Sequence, residues 1–209
     1  MASLRIFKQV PRLLFGVNTI DRINELLPKK DDEDYYIFII DDVHKNGTVL
    51  NRLRRASEDI IEWFPASVKE PSTLQIDTLR DKFIQTRNYK LPKAIVGVGG
   101  GSTMDVAKAV SVMMCNEGSA SQYQGWDLVP KPGIFKIGIP TVAGSGAEAS
   151  RTAVLMGKER KFGINSDHSM FDAIILDSSL IKKCPNCPKI LFGYGLLYSL
   201  CREFTRNND

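Results

Sequence analysis

Gly99-Gly100-Gly101-Ser102-Thr103-Met104-Asp105-Val106-Ala107-Lys108 is the stretch whose residue types bear most directly on chemistry. Glycine has no Cβ, so three in a row let the backbone turn sharply and approach a bulky anion. A helix starting just after them offers unpaired N–H groups and the positive end of its dipole. Together these features make a pyrophosphate cradle. The same residues also suit a ligand-free turn between a strand and a helix. The spacing is neither G-x-G-x-x-G nor the G-K-[ST] ending of a phosphate loop. A second loop, Ile139-Pro140-Thr141-Val142-Ala143-Gly144-Ser145-Gly146-Ala147-Glu148, sets hydroxyls at Thr141 and Ser145 among small residues. Such residues suit contacts to ribose or phosphate. Asp41 or Asp42, at the end of an apolar run, can accept hydrogen bonds from adenosine ribose hydroxyls. A carboxylate there repels a 2′-phosphate, which places NAD ahead of NADP.

Both loops need strands before them, and the pattern supplies them. Tyr35–Ile40 is a short apolar run that reads as a buried strand. Ala94–Val98 is a second, broken by the three glycines, and Lys136–Ile139 and Ala173–Leu176 read as further strands. Ala66–Lys69 suits a short one. Helical spacing is present in Val49–Phe64, through Leu50, Leu53, Ile60, Ile61 and Phe64, and in Thr73–Asn88, through Ile76, Leu79, Phe83 and Ile84. Ser102 reads as the N-cap of a helix running to about Met114. Thr152–Met156 and Lys161–Ile164 flank a charged turn and read as a hairpin. Alternating strands and helices predict a parallel α/β sheet.

Composition narrows the partners. The chain has 209 residues, 43% hydrophobic and 25% charged, which predicts a globular chain and excludes disordered and collagen-like classes. Lys and Arg number 28 against 24 Asp and Glu, with the signs interspersed. The basic group Arg52, Arg54 and Arg55 is followed at once by Glu58 and Asp59. No basic stripe for nucleic acid results. No apolar run reaches the ~18–20 residues of a membrane span, and the first residues lack a secretory pattern. Sparse cysteines suit a reducing compartment, so the expected location is cytoplasmic.

GGGSTMDVAK and IPTVAGSGAEAS closely resemble the two signature loops of the iron-containing (group III) alcohol dehydrogenases. These share a fold superfamily with dehydroquinate synthase and glycerol dehydrogenase. The resemblance runs from Phe15-Gly16 to about Leu180. Within the family, the 3-deoxy-manno-octulosonate 8-oxidase branch is the nearest likeness, through Tyr123–Val129, Lys136–Pro140 and Ala147–Thr152. Glycerol dehydrogenases tend to carry Lys where Ser102 stands. The Gln124-Gly125-Trp126-Asp127 likeness also speaks against a sugar-phosphate lyase or synthase on the same fold.

The resemblance implies a Rossmann-like parallel-sheet NAD-binding domain of the dehydroquinate synthase-like fold over residues 1–182. In relatives an all-helical metal domain follows. The implied dinucleotide contacts are Asp42, Gly99, Gly100, Gly101, Ser102, Asp105, Thr141, Ser145 and Lys161. Glu70-Pro71-Ser72-Thr73 departs from the Asn-Pro-Thr string of many relatives. The implied activity is NAD-dependent oxidation of a primary alcohol, here the C8 hydroxyl of the eight-carbon sugar acid. The implied partners are a dinucleotide and a small alcohol or sugar-acid substrate; a homodimer is allowed, and neither nucleic acid nor membrane is expected.

In relatives the helical half holds iron or zinc on one Asp and three His. A bound divalent metal acidifies the alcohol for hydride transfer. This chain has two His, His44 and His168, and neither has a partner at ligand spacing. From Lys183 to Asp209 the likeness stops. One codon string allowed by Ile190–Phe204, read one base later, spells FFSGMDCYIHCVES, which restores the family's Asp and His pair. The expectation is a one-nucleotide frameshift between about Lys182 and Ile190, with residues 183–209 an aberrant tail. Cys184 and Cys187 then read as an accidental pair rather than a zinc or redox site. The chain alone is expected to be inactive, with no catalytic or metal residues of its own. The alternative is a non-catalytic nucleotide-binding remnant or pseudogene product.

Overall fold

The computed structural model describes residues 9–53, 55–65 and 70–181. The expected strand at Ala66–Lys69, the cysteine pair and the frameshifted stretch lie outside those residues. In chain order the structure has β1 (Arg12–Gly16), β2 (Tyr36–Asp41), α1 (Val49–Arg52), β3 (Ile60–Phe64) and α2 (Thr73–Thr86). Next come β4 (Ala94–Gly99), α3 (Gly101–Met113), β5 (Gly125–Trp126) and β6 (Lys136–Pro140). The hairpin strands β7 (Thr152–Met156) and β8 (Lys161–Asn165) follow, then β9 (Ala173–Asp177) and α4 (Ser178–Ile181).

Among the described residues these strands form two sheets. The larger has the order β1-β9-β6-β4-β2-β3, with every neighbouring pair parallel. The expected parallel α/β sheet is therefore present. A parallel sheet covered on both faces selects continuous apolar strands, because every side chain is buried. In β2 all six residues are buried. Ile37 and Ile39 pack with Ile76, Phe83 and Val110 of α2 and α3. Tyr36, Phe38 and Ile40 pack on the other face with Ile20, Ile23, Val49 and Leu53. Each fully buried Ile or Phe contributes about 1.5–3 kcal/mol of transfer free energy.

The strand order creates the site. From β2 the chain leaves toward β3 at the sheet edge; from β4 it leaves toward β6 on the opposite side. Connections that diverge in this way leave a crevice at the C-terminal ends of the two strands. The register pairs Ile40 with Val98 and Gly99 with Pro140, so Asp41, Gly99 and Pro140 end at one edge.

Three sequence expectations are corrected. Val49–Phe64 is not one helix: α1 stops at Arg52 and Ile60–Phe64 is β3, paired with β2 from Ile37↔Ile60 to Asp41↔Phe64. The β-branched Ile60-Ile61 pair fits the sheet edge, and sheet pairing overrides the helical spacing. Ser102 does not cap α3; Gly100 is its N-cap and Ser102 lies in the first turn. The expected helix Thr73–Asn88 ends at Thr86, because Asn88 (φ 48°) and Tyr89 (φ 66°) turn left-handed and Tyr89 N–H returns to the Ile84 carbonyl at 2.9 Å. The hairpin forms as expected, from Thr152↔Asn165 to Met156↔Lys161, and β5 joins β8 in parallel.

Candidate nucleotide-binding site

The crevice is organised by Asp41, whose residue is 6% exposed. Its Oδ2 accepts the Gly100 N–H at 2.8 Å, and its Oδ1 accepts the Thr103 hydroxyl. Burial pushes this carboxyl upward in pKa, opposed by those two hydrogen bonds. A Cβ on Gly99 would stand 2.3 Å from Asp41 Cγ, and Gly99 φ is 158°. Position 99 therefore admits only glycine without moving the carboxylate.

The loop so fixed delivers the start of α3 to the crevice. No side chain among the described residues caps α3, so its first N–H groups face the opening. Gly100 is extended, with φ −81° and ψ −171°. A Cβ there would meet nothing nearer than 3.8 Å. The backbone at Gly100 thus borders open space at the positive end of a helix, the arrangement that holds an anion.

The second loop stands opposite. Thr141 N–H donates to the Gly99 carbonyl at 2.9 Å, which joins the two loops through backbone. Ser145 Cβ lies 3.1 Å from where a Gly101 Cβ would be. Ser102 and Ser145 are both exposed, whereas Thr141 is buried. Gly144 has φ 109° and open space around it. Gly99, Gly100, Gly101, Ser102, Thr141 and Ser145 are therefore brought together at one mouth.

Of the two ribose candidates, Asp41 has both oxygens engaged inside the loop. Asp42 is half-buried at the start of the turn Asp42–His44, directly beside it. Asp105 turns inward, accepting the Val154 N–H and facing Lys108 Nζ at 3.3 Å; burial raises its pKa. Lys161 is exposed on β8 and ion-paired to Glu70, the position that departs from the family string. Register accounts for that pair. Met156 N–H donates to the Pro71 carbonyl at 2.8 Å, and Met156 faces Lys161 across the hairpin.

Sequence reasoning missed the tie between Thr103 and Asp41, which joins β2 to α3. It also gave no weight to Lys108, which is fully buried. The signal was available: a lysine among Val106, Ala107, Ala109 and Val110 needs buried acceptors. His44 is half-buried, its Nε2 has no hydrogen-bond partner and burial lowers its pKa. His168 lies in the turn Asp167–Ser169. Among the described residues no three His, Cys, Asp or Glu side chains gather to hold a metal ion. The residues present do not fit the metal that the resemblance implies, and no step through it is derived. No helix among them is long and apolar enough to cross a membrane.

Comparison with known proteins agrees with this geometry. The family model described as iron-containing alcohol dehydrogenase matches residues 11–178. Over 88 residues the chain is 42% identical to sulfoacetaldehyde reductase of Bilophila wadsworthia (strain 3_1_6), covering 41% of this chain and 23% of that protein. Over 122 residues it is 34% identical to the NAD-dependent methanol dehydrogenase of Bacillus methanolicus, covering 57% of this chain and 31% of that one. The solved structure of sulfoacetaldehyde reductase from Bifidobacterium kashiwanohense in complex with NAD+ shares the fold, with a TM-score of 0.72 at 24% identity. That match covers 88% of this chain and 49% of the other, so the chain spans about half the length of that relative.

Proposed function

The chain belongs to the iron-containing alcohol dehydrogenase family, and from that premise we propose that residues 1–182 are the NAD-binding α/β domain of a metal-dependent alcohol dehydrogenase. The observation that carries this reading is the mouth between Gly99–Ser102 and Thr141–Ser145, set at the strand-order switch and left open at Gly100. The pyrophosphate sits on the Gly100 and Gly101 backbone and Ser102 at the start of α3. Asp42 accepts the adenosine ribose hydroxyls, which favours NAD over NADP. Thr141 and Ser145 take the nicotinamide side. Lys161 contacts the dinucleotide only after exchanging Glu70 for it, and Asp105 acts by bracing α3 against β7.

The reaction of the whole enzyme is NAD-linked oxidation of a primary alcohol. Its metal supplies the acidification of the hydroxyl, from residues outside those described. The likeness through Tyr123–Val129 and Ala147–Thr152 supports the C8 hydroxyl of 3-deoxy-manno-octulosonate as substrate. Residues 183–209 are an aberrant tail in this reading, produced by a frameshift between about Lys182 and Ile190. The protein is placed in the cytoplasm, with a homodimer as its assembly.

The test has two arms. Equilibrium dialysis of the full chain with NAD+ and NADP+ is expected to show tighter retention of NAD+. An assay with NAD+, ferrous iron and the octulosonate or simpler primary alcohols is expected to show no turnover by this chain alone. Absence of NAD+ retention overturns the cofactor reading; turnover overturns the inactivity. Sequencing the gene on both sides of codon 190 decides the frameshift.

A further inference from the structure

Lys108 is a charged side chain with no exposed surface, in the middle of α3. Burying an ammonium is costly unless each of its protons finds an acceptor. Here the acceptors are three. Nζ lies 3.3 Å from Asp105 Oδ1, 3.2 Å from Ser150 Oγ and 2.6 Å from the Thr152 carbonyl. The Phe171 ring lies 5.7 Å away beneath the cation. Burial lowers the lysine pKa and the Asp105 charge raises it.

The acceptors belong to different parts of the fold. Asp105 is on α3, the helix that the glycine loop opens. Ser150 and Thr152 end the second loop and begin β7. Ser150 Oγ also reaches the Ala147 carbonyl at 3.4 Å. Asp105 takes the Val154 N–H as well, so the same cluster fixes β7 against α3. The second loop is thus tied at both ends. Its start is tied by Thr141 N–H to the Gly99 carbonyl, and its finish by Lys108. Between the ties, Gly144 has open space and Ser145 is exposed.

We propose that Lys108 is a positioning residue for the dinucleotide: a buried strut that sets the distance between the glycine loop and the loop carrying Thr141 and Ser145. It touches no cofactor itself. It acts by holding the far end of the second loop, so that Ser145 stays opposite Gly101. The inference rests on the dinucleotide reading above, and it assigns Lys108 and Ser150 a role in that site.

A strut between two loops makes a selective prediction. ADP engages Asp42 and the glycine loop alone, whereas NAD+ engages both loops. Calorimetric titrations of the full chain with ADP and NAD+ separate the two cases. Ser150→Ala removes one acceptor and is expected to weaken NAD+ about fivefold, with ADP changed less than about twofold. Lys108→Met, with its apolar stem retained, is expected to weaken NAD+ about tenfold or more with the same sparing of ADP. A purely structural lysine would lower both affinities together, in step with the melting temperature. That result, or unchanged NAD+ affinity in both variants, overturns the strut. If Lys108→Met does not fold, the Ser150→Ala ratio decides alone. If the wild-type chain binds neither nucleotide, the dinucleotide reading falls and the strut falls with it. If it binds both and the ratio holds in the variants, only the strut falls.

Discussion

Two buried aspartates stand at opposite ends of β2 and do different things. Asp59, at the N-terminal end, accepts Tyr36 N–H at 2.9 Å, Ala56 N–H at 2.8 Å and the Lys30 ammonium at 2.7 Å. Lys30 also pairs with Glu58 and lies 4.5 Å from the Tyr36 ring centre. Charge is compensated there and the cluster is closed. Asp41, at the C-terminal end, is held by two neutral donors, Gly100 N–H and the Thr103 hydroxyl. It spends its charge on shaping the glycine loop, while the start of α3 points outward uncapped. A buried carboxylate closed by a cation is architecture. One that orders a backbone beside an open helix start prepares a place for a second anion.

That contrast can be broken by mutation. The largest effect is expected from Gly99→Ala, whose methyl would overlap the Asp41 carboxylate at 2.3 Å. We expect a loss of about 3 kcal/mol or more in urea unfolding, since either the loop or β2 must move. Asp59→Asn comes next. It leaves Lys30 with Glu58 only and should cost about 2 kcal/mol, with nucleotide affinity unchanged in calorimetry. If Asp59→Asn weakened NAD+ binding in a folded protein, the two ends would not be functionally distinct. Ser102→Ala, at an exposed position, should shift stability by less than about 0.5 kcal/mol yet weaken ADP about threefold.

The smallest effect is a pH dependence. Burial raises the Asp41 pKa above its ordinary value of 3.8. A carboxyl raised in the folded state binds its proton more readily there than in the unfolded chain. Its contribution to stability is therefore fully present below about pH 3.8 and lost as pH rises through the folded pKa. The difference in urea midpoint between wild type and Asp41→Asn should shift in favour of the wild type as pH falls toward that value. A difference that is flat with pH would mean that burial does not govern this group.

Much of the fold was legible because its signals were local. Apolar runs at Tyr36–Ile40 and Ala94–Val98 could only be strands buried on both faces, and the glycines marked the turn after β4. Residues 49–64 misled because Leu50, Leu53, Ile60 and Ile61 carry helical spacing, while pairing with β2 lies elsewhere in the chain. The capping error at Ser102 has the same origin: the loop is held by Asp41, distant in sequence, rather than by the nearest hydroxyl. Lys108 was legible as an anomaly, a lysine in an apolar helix, but its acceptors at Ser150 and Thr152 needed the fold. The contact between Lys161 and Glu70 was likewise invisible, since it depends on Pro71 docking against Met156.

The account's central claim is that open backbone at Gly100 holds a dinucleotide pyrophosphate. Gly100→Ala tests it most directly. Its φ of −81° and ψ of −171° suit any residue, and a methyl there meets nothing closer than 3.8 Å. Stability should therefore change by less than about 1 kcal/mol. In calorimetric titration of the full chain with NAD+, the account predicts saturable binding by the wild type and a loss of about tenfold or more in the folded variant. Equal affinity in the two proteins, or no binding by the wild type, would contradict it.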